Sequence, residues 1–280
     1  MHKKLIAFTL FTILVTFSGI KFGILSSSIN QFETSLSNTN FVLWIVSLFC
    51  LSIGALLYQE NEKGYLRFAI ANFIGLALSY YIGYSIGNFN LGNLSLIISA
   101  LLFVFHSQLK NKSIIGILCV AFCTAFSILI YGVFELVTFI KQEPKGLHRL
   151  LFSIITDYSI YIFLLIIPLA GIYNLKNSNI LHNQGKQTLE HLFGFSRSLK
   201  TIGVLLLLPT AACAYYLHTY MYQNSKALMF GLFFLMGPLL IAVIKCFSIE
   251  KNKESKTVLL LLQTVLITSA FSLFIFRLTA

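Results

Sequence analysis

Acidic residues are scarce in this 280-residue chain: nine Asp and Glu together stand against 20 Lys and Arg, and Asp157 is the only aspartate. Charged residues of either sign make up 10%, where a soluble domain carries roughly 25%. That shortage excludes an ordinary water-facing surface. Hard divalent cations are held mainly by carboxylates, so a site assembled from many acidic ligands is excluded as well. Glycine-rich phosphate loops, nucleophile elbows and HExxH patterns are absent from the sequence. Proline occurs four times, and Pro168, Pro209 and Pro238 fall inside apolar runs, where they mark kinks or breaks.

What is abundant is hydrocarbon. Hydrophobic residues reach 57% and the mean hydropathy is +0.84. Apolar runs of roughly 20 residues mark transmembrane helices and are far longer than a barrel strand needs. Read against the polar breaks, they predict nine spans at about 4–26, 40–58, 66–86, 91–107, 113–136, 150–173, 201–221, 226–246 and 257–278. The expected architecture is all-α: a polytopic membrane protein, one domain over residues 1–280, built as a bundle of nine transmembrane helices. The first apolar run is too long for a signal-peptide core and lacks a small-x-small cleavage site, so it reads as a span.

The net charge of +11 does not point to nucleic acid, because no compact basic face is evident. Lys and Arg gather in cytoplasmic loops of membrane proteins. A cytoplasmic N-terminus puts 14 of the 20 basic residues inside and five outside (Lys141, Lys145, Arg149, Lys226, Arg277), with Lys21 within the first span. The expected location is the inner membrane of a bacterium.

Two polar segments then face the cytoplasm, Tyr58 to Arg67 (YQENEKGYLR) and Tyr173 to Lys200. Asp157 lies within the sixth span. A charge at mid-membrane costs roughly 2.5–3.5 kcal/mol on insertion scales, so it reads as a functional candidate or a structural ion pair, with Lys21 as a partner. Glu135, at the end of the fifth span, reads as interfacial. The five cysteines lie in or at the ends of apolar runs. Cys119 and Cys123, spaced i,i+4, could form a metal pair but fit better as small packing residues.

These landmarks resemble the UbiA superfamily of intramembrane prenyltransferases, in the branch seen in Bacteroidetes. Residues 68–89 (FAIANFIGLALSYYIGYSIGNF) look like the third span of that family. HSQLKNKSIIGILCVAFCTAFSILIYGVFE (106–135) looks like its Y-S-x-x-L-K-x-K-P-L-I-G-N segment and the helix that follows. GKQTLEHLFGFSRS (185–198) looks like its G-x-K-T-L-P-I-x-L-G stretch, with Gly185, Thr188, Leu189 and Gly194 retained. The resemblance implies binding of a prenyl diphosphate through Mg2+ held by Asp-rich motifs after the second and sixth spans.

Both motifs are degenerate here. N-D-x-x-D-x-x-x-D falls on Tyr58, Gln59, Glu62 and Leu66, and the second, D-x-x-D-x-x-x-D, falls on Asn174, Asn177 and Leu181. The usual Arg-x-x-Asn of the first helix appears as Ala7 and Leu10. Without carboxylates a cation on a diphosphate loses its ligands. The expectation is a UbiA-like protein that accommodates an isoprenoid or other membrane lipid chain, with Mg2+ needed only if transfer is retained. The candidate substrate-binding residues are Tyr58, Gln59, Glu62, Asn174, Lys176 and Asn177; no catalytic residue or metal ligand is assigned. The alternatives are a small transporter or permease, with Asp157 and Lys21 along a polar pathway, and a non-catalytic membrane scaffold.

Overall fold

The computed structural model describes residues 2–25, 37–57, 62–105, 113–136, 145–179, 183, 188–248 and 255–279. Within them the chain is helical, and no strand occurs among the described residues. The helices are α1 (His2–Gly19), α2 (Asn38–Leu57), α3 (Glu62–Ser85), α4 (Leu91–Val104), α5 (Ser113–Leu136), α6 (Lys145–Lys176), the short α7 (Leu189–Phe193), α8 (Phe195–Met221), α9 (Ser225–Ser248) and α10 (Ser255–Thr279). Each of the nine apolar runs lies on one of these helices, α7 being the polar exception. Among the described residues, six helices are long and apolar enough to cross a membrane, and α1, α2 and α4 contribute shorter apolar stretches. The protein is therefore an integral membrane protein, and among the described residues six of the nine expected spans meet that length and composition in full.

α6 is the central element. Its 28-residue stretch Arg149–Lys176 rises about 42 Å at 1.5 Å per residue, more than the ~30 Å of hydrocarbon in a bilayer. Tyr158, Leu165, Leu169, Ile172 and Leu175 on it are buried, packed against α5, α8 and α10. The outward faces of the bundle carry side chains that water would not tolerate in such numbers: Phe73 is 75% exposed and Phe233 72%. They face lipid.

Close helix crossings rest on small residues, as expected where no hydrophobic gradient drives helices together. Gly75 of α3 lies against α2, where an added Cβ would stand 2.9 Å from the Ser47 carbonyl oxygen. The Ser47 hydroxyl donates to the Gly75 carbonyl at 2.6 Å. Ser79 and Ser95 join α3 to α4 at 2.6 Å, and Ser99 donates to Asn72 Oδ1 at 2.6 Å. After Gly19, α1 widens into a π turn (Ile20–Leu25) that packs on α10 so tightly that a Cβ on Gly23 would stand 2.2 Å from the Leu273 carbonyl oxygen.

α6 and α8 continue through Pro168 and Pro209 without a break. Pro238 does leave a mark. It follows a π turn (Leu232–Met236) in α9 and cannot donate to the carbonyl of Phe234 four residues earlier. The Thr268 hydroxyl of α10 lies 3.0 Å from that oxygen, a replacement donor of the kind that lets proline persist inside membranes.

One expectation about charge is corrected. Lys21 does not pair with Asp157; its Nζ lies 3.5 Å from Glu135 Oε1 of α5 and 5.0 Å from the centroid of the Phe41 ring. Glu135, one residue from the end of α5, is fully buried within the bundle and accepts a 2.8 Å hydrogen bond from Tyr131. The expected pairing overlooked that α1 packs on α5 at this level.

Candidate functional site

The second polar segment forms a compact cap over the end of α6. Helix ends leave carbonyls without intrahelical donors, and here a side chain supplies one. Asn177 Nδ2 donates to the Tyr173 carbonyl at 2.7 Å, and the Asn177 amide to the Asn174 carbonyl at 3.3 Å. Asn174 Oδ1 accepts from the Leu189 amide at 3.2 Å, tying the last turn of α6 to the first residue of α7. Thr188 takes extended backbone dihedrals and caps α7, its Oγ1 accepting from the His191 amide at 3.2 Å.

The same cap is closed from its other side. Ser178 donates to the Glu190 carboxylate, and Ser198 of α8 donates to the Leu189 carbonyl at 2.9 Å. Gly194 turns the chain from α7 into α8 at φ +78°, a backbone region that favours glycine.

Of the residues singled out in the sequence, Asn174 and Asn177 therefore come together in this cap, and Lys176 beside them is exposed. Glu62 opens α3, exposed, where a carboxylate suits the positive end of the helix dipole; the hydrogen-bond network of the cap does not include it. Tyr58 and Gln59 lie outside the described residues, as does Glu60. The residues that sequence reasoning missed are Ser178, Glu190 and Ser198; Thr188 was noted as part of a family-like stretch but not as a helix cap. The spacing T-x-E after a polar stretch is a helix-start signal that could have located α7.

A cation bridging to a diphosphate needs several free carboxylate oxygens. At this end of the bundle Asn174 Oδ1 accepts from a backbone amide, and Glu190, which accepts from Ser178, is the one carboxylate of the cap among the described residues. Among the described residues, no group of three or more His, Cys, Asp or Glu side chains is placed to hold a metal ion. Among the described residues, the donors at this end do not make up the carboxylate set that a Mg2+-diphosphate centre needs.

Asp157 belongs to a different neighbourhood. It accepts a 2.5 Å hydrogen bond from Tyr220 on the π turn that ends α8 (Leu217–Met221). Tyr220 continues into a row of rings, Tyr216 at 5.2 Å and then Tyr158 at 6.1 Å. Asp157 and Lys21 thus serve separate partners and do not form the paired pathway that a transporter reading expected.

The arrangement of these helices is a fold already seen in a solved membrane protein. The likeness is to a solved structure of a digeranylgeranylglyceryl phosphate synthase in membranes, which aligns over 100% of both chains with a TM-score of 0.70 and 14% sequence identity. At that identity the likeness shows the fold. No protein-family model and no curated protein matches the sequence.

Proposed function

We propose that this protein is a UbiA-fold membrane protein that accommodates an isoprenoid or related lipid chain between its helices, and that it does not transfer a prenyl group by the Mg2+-carboxylate route. The observation that carries the reading is the whole-length fold likeness to a membrane prenyltransferase combined with an end cap built from amides and hydroxyls, with Glu190 its one carboxylate among the described residues. Tyr58, Gln59, Glu62, Asn174, Lys176 and Asn177 stand at the mouth of the chain-binding space in this reading, with Lys176 free to meet an anionic headgroup. The distribution of Lys and Arg supports an N-terminus on the cytoplasmic face of the bacterial inner membrane.

The test is binding of geranylgeranyl diphosphate and geranylgeraniol to purified protein in lipid nanodiscs, each with and without Mg2+. Both ligands are expected to bind, with affinities that differ less than twofold on addition of Mg2+. Micromolar binding of the diphosphate that requires Mg2+ would overturn the loss of the metal route. Failure of both ligands to bind folded protein would overturn the lipid-chain reading itself.

A further inference from the structure

Asp157 sits inside the bilayer. The stretch Arg149–Lys176 of α6 rises about 42 Å, which leaves about 6 Å beyond the ~30 Å of hydrocarbon at each end when the span is centred. Asp157 stands eight residues or about 12 Å from Arg149, and so about 6 Å below the hydrocarbon boundary. An ionisable group at such a depth ordinarily pairs with an opposite charge or lines a polar path.

Its partner here is neutral. The Tyr220 hydroxyl donates to Asp157 Oδ2 at 2.5 Å, within the short range of O–H bonds to an ionised acceptor. The pair therefore keeps a full negative charge. No Lys, Arg or His among the described residues forms an ion pair with Asp157, and Oδ1 receives no hydrogen bond from them. By contrast Glu135, buried in the same bundle, holds Lys21 at 3.5 Å.

The surroundings of that charge are open and aromatic. Asp157 and Tyr220 are both half-buried. Tyr220 belongs to the π turn Leu217–Met221, an irregularity that frequently marks functional sites. Its ring begins a row that continues through Tyr216 at 5.2 Å and Tyr158 at 6.1 Å, successive planes tilted by 58°. Aromatic faces attract organic cations.

These properties select a ligand. The uncompensated carboxylate calls for a cation, and its depth calls for one carried on an apolar body. A hard metal ion needs several oxygen ligands, whereas a carboxylate beside tyrosine rings suits an organic ammonium. Phosphatidylethanolamine fits poorly, because its phosphate would follow the ammonium below the boundary. We propose that Asp157 and Tyr220 form a binding site for a membrane-dissolved alkylammonium, a lipid amine without a phosphate. The ammonium rests on the Asp157 carboxylate beside the Tyr220 ring, and the alkyl chain stays in the lipid. The site does not depend on the isoprenoid reading above.

The test uses the full chain in phosphatidylcholine nanodiscs and an alkylammonium probe with a diazirine beside its nitrogen. Wild-type protein is expected to be labelled on the peptides that hold Asp157 and Tyr220. Dodecylammonium is expected to compete, and dodecanol, ethylammonium and phosphatidylethanolamine are not. Asp157→Asn, whose amide oxygen still accepts from Tyr220, lowers the labelling roughly ten- to a hundred-fold. Tyr220→Leu lowers it roughly two- to thirty-fold. Unfolding in mixed micelles of rising SDS fraction separates lost binding from lost fold, and the competition series decides in wild-type protein alone should a variant not fold. Labelling spread evenly round the bundle, equal competition by dodecanol, or undiminished labelling of folded Asp157→Asn would overturn the site. Equal competition by ethylammonium or phosphatidylethanolamine would overturn its assignment to a membrane-dissolved amine.

Discussion

Removing either half of the Lys21–Glu135 pair is expected to destabilise the bundle far more than removing both. The two side chains are 4% and 0% exposed and 3.5 Å apart. At an effective dielectric of ~20 their attraction is about 5 kcal/mol, in line with the ~3–5 kcal/mol lost when one member of a buried pair is deleted. Glu135→Gln and Lys21→Met are each expected to cost that much. The double variant keeps an acceptor for Tyr131 and carries no net buried charge, so it is expected to cost no more than about 2 kcal/mol. The coupling energy is then at least about 4 kcal/mol. Reversible unfolding in mixed micelles of rising SDS fraction measures it. The reporter is Trp44, the chain's single tryptophan, fully buried in α2 with its ring 4.4 Å from Phe134, the neighbour of Glu135. If the two single costs simply add in the double variant, the pair is not an energetic unit and the argument fails.

Gly23→Ala would push a methyl to within 2.2 Å of the Leu273 carbonyl oxygen. It is expected to cost about 1–3 kcal/mol in the same titration, and an unchanged midpoint would show that α1 and α10 do not touch this closely. Asn174→Ala removes the acceptor of the Leu189 amide and is expected to leave the global midpoint in place. Amide hydrogen exchange over residues 188–193 should accelerate roughly two- to thirty-fold, following a loss of ~0.5–2 kcal/mol for a capping acceptor; unchanged exchange would remove Asn174 from the cap.

The helices were readable because hydrocarbon length is a one-dimensional property. The nine apolar runs each met a helix, and α5 begins and ends where its run does. Partner choice is not one-dimensional. Lys21 and Asp157 were the evident unlike charges in the sequence, yet Lys21 turned to Glu135 because α1 packs on α5, and helix packing is invisible to periodicity. Pro168 was expected to kink or break a helix, and α6 runs through it. In the cap, Asn174 and Asn177 were noticed as lost carboxylates, whereas the structure uses them as fasteners for the helix end. Ser178 and Glu190 are 12 positions apart and signal their contact only once α7 has folded back.

The π turns at Leu217–Met221 and Leu232–Met236 have a consequence for ancestry. A π turn closes over five residues instead of four, so each holds one residue more than a regular helix of the same rise. Every position beyond it is rotated by about 100° relative to an uninterrupted helix. A relative with a regular helix here matches residue for residue only if a single-residue gap is opened at each π turn. Insertions of one residue inside membrane helices are changes that sequence comparison penalises heavily. α8 and α9 can therefore diverge beyond recognition in sequence while their buried faces, among them Leu206, Cys213, Leu239 and Cys246, still meet the same neighbours.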